Sequence, residues 1–166
     1  MAYLQEQQLI AETSKQILVR NRLVFAGTTE GVSSLADLPG LQRVALCSPK
    51  SSPAGRYAEL AMTEAGIYQQ LQENRQLVLA KDVRQALLYA DRGEVDGAFV
   101  YQTDAMLAKQ AQVLFAVPQE LYPKVVYPAA LTESGAKKKT AETFFAYLFS
   151  PSAQDVLRRH GFGIEK

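Results

Sequence analysis

The chain has 166 residues, of which 48% are apolar and 21% charged, a composition typical of a globular protein with one domain or two small lobes. Its 18 basic and 17 acidic residues give a formal net charge of +1, which argues against a nucleic-acid-binding or membrane-surface protein. The single cysteine, Cys47, excludes an internal disulfide and a cysteine-rich zinc site.

Strand-like and helix-like segments alternate along the middle of the chain, which is typical of α/β proteins. In chain order we predict strands at 21–27, 43–48, 76–80, 95–101, 111–118 and 124–131, helices at 53–65, 68–74 and 83–91, and a helix pair after residue 137 that breaks at Ser150 and Pro151. No stretch approaches the roughly 18 apolar residues of a membrane helix. The first ten residues lack the pattern of a signal peptide, so we expect no export signal in this chain.

The second of these strands leads into a helix start with few reactive side chains. Ser52 is predicted to cap the helix, and Pro53 suits its first position. The Ala54 N–H then belongs to the first turn, whose donors have no partner within the helix. Small residues at 54 and 55 would let a ligand approach the backbone closely.

The next two strands end in a comparable way. Asp82 is a predicted N-cap that satisfies the N–H groups two and three residues on, which leaves the Val83 N–H available. The following strand ends at Tyr101, which supplies a phenol hydroxyl. Because ligands bind at the carboxyl ends of strands in open α/β sheets, two helix N-termini and one phenol would form a donor-rich anion site.

Such a site needs no cationic side chain, because each helix end carries roughly half a positive charge. Arg56 and Arg84 lie one turn into their helices and are interpreted as surface residues. A purely structural interpretation stays open, since Ser-Pro and Asp82 are ordinary capping residues and a tyrosine at a strand end often only packs.

The residues do not favour an enzyme. The one histidine, His160, lies beside a predicted helix C-terminus and is interpreted as a surface group. Asp96 and Asp104 flank a strand end, but nothing nearby supplies a metal site or a nucleophile with its base. Cys47 is interpreted as a small apolar residue at a strand end. We therefore predict no catalysis, no metal and no cofactor.

At these junctions the sequence resembles the periplasmic molybdate-binding proteins of ABC transporters, which are type II solute-binding proteins. The most specific stretches are Pro-Ala-Gly-x-Tyr-Ala, Asp-Val-Arg-x-Ala-Leu and Val-Tyr-x-x-Asp-Ala, within a resemblance that runs through nearly the whole chain. It implies an α/β protein of two lobes that closes on a tetrahedral oxyanion, molybdate or tungstate, in the periplasm and delivers it to permease subunits. In this family two backbone N–H groups and a tyrosine hydroxyl of the second lobe bind the anion, which the resemblance places at Ala54, Val83 and Tyr101.

The resemblance also implies a missing N-terminal part that carries two serine ligands. We therefore expect a truncated form in which residues 1–20 are a remnant of the first lobe and the approach to the hinge. Residues 21–122 would be the second lobe with its hinge strands, and residues 123–166 the returning hinge strand and the C-terminal helices of the first lobe. Losing two donors, at about 1.5–3 kcal/mol each, would weaken molybdate binding roughly a hundredfold or more.

The same implied truncation leaves apolar side chains of the C-terminal helices without a partner. Phe144, Phe145 and Leu148 lie on one face of the first of these helices. We expect them to promote self-association or poor order there.

Two other functions stay open. Sulfate or phosphate could replace molybdate, because the size of the cleft separates these tetrahedral anions and sequence does not measure it. The effector-binding domain of a transcription regulator can share the fold, although the first twenty residues show no DNA-binding helix-turn-helix.

Overall fold

The computed structural model describes residues 1–164. The chain divides into two units, which are considered separately below. The central unit comprises residues 22–124, and the terminal unit comprises residues 1–21 together with the described residues from 125 onward. The chain therefore crosses between the units twice, after Asn21 and after Lys124. The assignment of these parts to the lobes of a larger protein stays a prediction.

Helices and strands alternate through the central unit as the sequence predicts. The helices are α1 (Ala2–Glu6), α2 (Pro53–Glu64), α3 (Tyr68–Glu73), α4 (Val83–Asp91), α5 (Gln102–Ala105), α6 (Lys139–Leu148) and α7 (Pro151–Arg159), and the strands are β1 (Gln16–Asn21), β2 (Leu23–Gly27), β3 (Val44–Cys47), β4 (Leu77–Ala80), β5 (Gly97–Tyr101), β6 (Gln112–Ala116) and β7 (Val125–Ala129). Within the described residues, none of the helices has the length and apolar character to span a bilayer.

The strand β1 is an element that the sequence does not predict, as are the short helices α1 and α5. The predicted strand 21–27 is in fact the end of β1 and the whole of β2, separated at the first crossing between the units. In the terminal unit β1 pairs with β7 in a two-stranded antiparallel sheet. Its residues alternate poorly in hydrophobicity, and only Val19 and Asn21 are buried, so no clear period of two is present.

The central unit is built on a five-stranded sheet in the order β4-β3-β5-β2-β6. The strand β3 is parallel to β4 and to β5, whereas β2 is antiparallel to β5 and to β6. Every strand except β2 therefore points the same way, which confirms the predicted mixed, mostly parallel α/β fold. The apolar run Val44–Cys47 forms a strand that is buried throughout, as expected for the interior of a parallel sheet.

Both faces of this sheet are covered by apolar side chains. On one face, Val24 and Ala26 of β2 join a cluster with Ala86 and Leu87 of α4. On the other face, the Phe25 ring lies 5.1 Å from the Phe99 ring and 5.3 Å from the Phe115 ring, measured between centroids. Aromatic pairs of this kind contribute about 0.5–1.5 kcal/mol each beyond the area that they bury.

The C-terminal end of α4 holds the segment that leads into β6. The Asp91 carboxylate accepts the N–H groups of Ala111, Gln110 and Lys109 at 2.8, 2.6 and 2.9 Å. These hydrogen bonds favour the ionised carboxylate and hold the pKa of Asp91 below its usual value. One side chain thus connects α4 to an edge strand of the sheet.

The N-terminal end of α2 lies directly against the carboxyl end of β3. Gly55 is buried there, and a Cβ atom at this position would lie 2.1 Å from the Cys47 carbonyl oxygen. The sequence analysis attributes the small residue at 55 to the approach of a ligand, but the structure gives it a packing reason. The other end of α2 is closed as predicted, with Gly66 at φ +74°.

We expect Asp91→Ala to lower the thermal midpoint at about pH 7, because three N–H groups lose a charged acceptor. A carboxylate whose pKa is lowered on folding stabilises the protein above its unfolded value, here 3.8, and this stabilisation is lost as the pH falls through the folded pKa. The difference in midpoint between wild type and variant, followed by circular dichroism, should therefore shrink below about pH 4. The control Glu94→Ala removes an exposed carboxylate 3.7 Å from Arg92 and should have little effect at any pH. Equal losses in the two variants at neutral pH would contradict the role of Asp91.

We expect Gly55→Ala to destabilise the chain by about 3 kcal/mol, because the new methyl group meets a backbone carbonyl that cannot move aside. Gly40→Ala is the matched control, since no atom lies within 4 Å of a Cβ placed there. That control should be neutral or stabilising by up to about 1 kcal/mol. Urea unfolding measures both changes, and a Gly55→Ala variant as stable as the control would show that α2 can separate from β3 at no cost.

Candidate functional site

The three junctions singled out in the sequence lie along the side of the central sheet where its parallel strands end. Because β3 is parallel to both of its neighbours, the carboxyl ends of β4, β3 and β5 lie side by side, with β3 in the middle. This side of the sheet, formed by strand ends and not by an outer strand, is termed the carboxyl edge. Ala54 in the first turn of α2, Val83 at the start of α4 and Tyr101 at the end of β5 are thus carried by adjacent strand ends.

Ala54 is the second residue of α2 and is only 2% exposed. Its N–H belongs to the first helical turn, and no hydrogen bond among the described residues uses it. The Arg56 N–H, two residues on, already bonds to the Ser52 carbonyl oxygen at 3.0 Å. The backbone at Ala54 is therefore a fixed donor without a protein acceptor in the described part of the chain.

The expected side-chain cap at Ser52 is wrong. Ser52 occupies the N-cap position, but its hydroxyl makes no capping hydrogen bond. The Ser52 side chain interacts with Cys47 instead. The helix start is held by the close packing of Gly55 and by Pro53 at the first position, and the side-chain cap is not needed.

Asp82 is the N-cap of α4, as predicted, but among the described residues its side chain accepts the N–H three residues on and not the one two residues on. Its carboxylate accepts the Gln85 N–H at 2.9 Å, while the Gln85 side chain accepts the Lys81 N–H at 2.7 Å. These two hydrogen bonds hold the first turn of α4 to Lys81 and Asp82. The Val83 N–H points out of that turn and takes part in no hydrogen bond among residues 1–164.

Tyr101 ends β5 and is half-buried, directly before α5. In the antiparallel pair of β5 with β2, Tyr101 lies opposite Leu23. The first residue of α5, Gln102, accepts hydrogen bonds from two nitrogens of Arg22 at 3.2 and 3.1 Å. The backbone just after the phenol is held as well, since the Gln102 N–H donates to the Arg22 carbonyl oxygen at 3.0 Å.

Asp104 and Arg84, which the sequence places near this edge as a strand-end carboxylate and a surface residue, interact electrostatically in the structure. Burial raises the pKa of the Asp104 carboxyl, and the charge of Asp82 acts in the same direction. The positive charge of Arg84 and the Tyr101 backbone oppose this change. Arg84 is exposed, as predicted, but its charge acts on the site.

The thiol at this edge is not activated. Cys47 is fully buried, and burial raises the pKa of its thiol, as do the charges of Asp82 and Asp104. The interpretation of Cys47 as a small apolar residue agrees with this environment.

The two aspartates considered for catalysis lie at opposite ends of β5. Asp96 precedes β5 and accepts the N–H groups of Gln42 and Arg43 at 2.7 and 2.8 Å, whereas Asp104 follows the other end of that strand. His160 is an exposed C-cap residue of α7 in the terminal unit. Within the described part of the chain, no group of three or more His, Cys, Asp or Glu residues could hold a metal ion.

Comparison with known proteins gives a consistent result. The molybdate-binding protein ModA of Escherichia coli is 31% identical over 99% of this chain and 66% of its own length. The substrate-binding domain assigned to a molybdenum ABC transporter of Clostridium difficile covers all of this chain with a TM-score of 0.90 at 27% identity, over 73% of that domain. A periplasmic molybdate-binding protein of Azotobacter vinelandii shares the fold, with a TM-score of 0.78 at 23% identity over 99% of this chain and 74% of its own.

The chain spans 60% to 66% of the lengths of the first three curated relatives that it matches. A family model described as bacterial extracellular solute-binding protein matches residues 1–163. Because this match covers nearly the whole chain, the chain belongs to the family of bacterial extracellular solute-binding proteins.

Proposed function

We propose that this chain binds a tetrahedral oxyanion, molybdate or tungstate, as part of the solute-binding component of an ABC transporter. The observation that carries the proposal is the alignment of three parallel strand ends, which presents Ala54, Val83 and Tyr101 at one edge of the sheet. The similarity to molybdate-binding proteins supports the choice of anion. Periplasmic location and permease subunits as partners belong to the same proposal.

The chemistry of this edge suits reversible binding. Backbone N–H groups at the starts of α2 and α4 attract an anion through the helix dipoles and require no counter-ion. Hydrogen bonds to a charged acceptor contribute about 1.5–3 kcal/mol each. No activated nucleophile lies beside these donors in the described residues, since the Cys47 thiol is buried with a raised pKa. We therefore infer a protein that binds the anion intact, as its ligand and not as a cofactor, and performs no catalysis.

The affinity of this chain should be low. Three donors at about 1.5–3 kcal/mol each supply roughly 4.5–9 kcal/mol, and association itself costs several kcal/mol. The carboxylates of Asp82 and Asp104 at the same edge also repel an anion. We expect a dissociation constant in roughly the millimolar range for molybdate.

We expect Tyr101→Phe to weaken molybdate binding by about tenfold to a hundredfold, because one hydrogen bond to a charged acceptor is lost. The measurement is an amide chemical-shift titration of wild type and variant with molybdate, tungstate, sulfate and phosphate, each up to roughly 50 mM. Shifts at Ala54 and Val83 should mark the site. Tyr68→Phe is the control, since Tyr68 lies at the start of α3 and should not affect binding.

Two results of that titration would overturn the proposal. One is the absence of shifts at the carboxyl edge for all four anions. The other is submicromolar binding that Tyr101→Phe leaves unchanged, because the affinity would then come from other groups. Preferential binding of sulfate or phosphate would replace molybdate as the ligand and keep the site.

We further propose that a second copy of the chain covers the terminal unit. Among the residues of this unit whose burial is described, few are buried, namely Ile10, Val19, Asn21, Val125 and Ala153. The helix α6 contains none, and Phe144 and Tyr147 on it are 63% and 52% exposed, with Val156 of α7 at 43%. Exposed apolar side chains on these helices favour an interface between identical surfaces.

We expect the chain to form dimers in light scattering at micromolar concentration and the double variant Phe144→Ser, Tyr147→Ser to be monomeric. The control Leu79→Ser removes an apolar side chain that is 59% exposed on β4 of the central unit, and it should leave the dimer intact. A strictly monomeric wild type, with well-protected amides in 141–160, would show that the terminal helices need no partner.

A further inference from the structure

The carboxyl edge is also where the chain enters and leaves the central unit. Because β2 runs opposite to its neighbours, its first residue, Leu23, lies at this edge beside Tyr101. The end of β6 lies there too, since Ala116 pairs with Val24. The segments next to both crossings between the units are therefore neighbours of the proposed anion donors.

Tyr122 joins these two segments inside the central unit. Its hydroxyl oxygen accepts the Leu23 N–H at 2.9 Å, and both residues are buried, with Tyr122 5% exposed and Leu23 0%. The Val117 N–H donates to the Leu23 carbonyl oxygen at 3.0 Å, which adds a second bond between the same segments. A buried N–H that lost this hydroxyl would have no strand partner in its place.

The ring of Tyr122 also contacts the helix that presents Ala54. Its centroid lies 5.9 Å from that of Tyr57, with the ring planes 39° apart. Tyr57 follows Ala54 by three residues on α2, which is one turn along the same side of the helix. Tyr122 therefore contacts both Leu23, next to the first crossing, and the helix whose first turn carries the Ala54 N–H.

Resting on the proposed function, we propose that Tyr57 and Tyr122 are positioning residues of the oxyanion site. They hold the first turn of α2 against the Leu23 backbone, while Arg22 holds the start of α5 through Gln102. A hydrogen bond weakens steeply when its donor turns away from the acceptor. A small displacement of α2 would therefore reduce the contribution of the Ala54 N–H without removing any ligand group.

The variants separate ring contact from hydrogen bond. Tyr57→Ala removes the ring contact and leaves the bond between Tyr122 and Leu23 in place. We expect it to weaken molybdate binding about twofold to tenfold, which corresponds to loss of the whole free energy that an aromatic pair contributes. Tyr57→Phe keeps the ring and should bind like wild type. Tyr122→Phe keeps the ring contact but leaves the Leu23 N–H unpaired, so it should lower the thermal midpoint more than the affinity.

A control for general destabilisation is Leu71→Ala, which opens a fully buried site on α3. It should lower the thermal midpoint and leave the molybdate affinity of the folded chain unchanged. If Tyr57→Ala and Leu71→Ala affect the affinity equally, the tyrosine pair has only a structural role and the positioning proposal is overturned.

Hydrogen exchange of the ligand-free chain tests the same proposal independently of binding. The Arg56 amide, which bonds to Ser52, should exchange faster in Tyr57→Ala than in wild type when normalised to the amides of β3. Leu71→Ala should not show this local change. If none of the four anions binds, the proposed function is refuted. If the exchange rate of the Arg56 amide is the same in Tyr57→Ala as in wild type, the positioning role is refuted.

Discussion

The parallel pairing of β3 with β4 on one side and β5 on the other is the constraint on which the proposed site depends. Parallel strands end at the same edge of a sheet, so the segments that follow them meet there. The proposed donors Ala54, Val83 and Tyr101 lie after or at the ends of three different strands, and only this pairing brings those strand ends together. If β3 were an outer strand of the sheet, its end and α2 would have at most one of the other two junctions as a neighbour.

Backbone geometry at the helix starts is held by contacts that leave the N–H groups unused. At α2 the contact is steric, since Gly55 lies against the Cys47 carbonyl group. At α4 it is polar, since the Asp82 carboxylate takes the Gln85 N–H and leaves that of Val83. Both arrangements hold the proposed donors in place, which would lower the entropy lost on binding a ligand.

Negative charge at the carboxyl edge would make the binding of an anion there depend on pH. Asp104 is half-buried and its pKa is raised by burial, so it gains a proton more readily than an exposed aspartate. An ionised Asp104 repels any oxyanion at the edge, and the repulsion ends when the carboxyl is protonated. Arg84 offsets part of this repulsion from the same helix that presents Val83.

Local sequence signals determined most elements of the central unit and the residues at its three junctions. Pro53, Asp82 and Gly66 mark helix ends through backbone preferences that act over a few residues, so α2 and α4 are predictable. The tertiary structure alone decided which strand ends are adjacent, that Ser52 turns to Cys47, and that Tyr122 reaches Leu23 across 99 residues. Such contacts depend on how whole elements pack, and no short stretch of sequence records that packing.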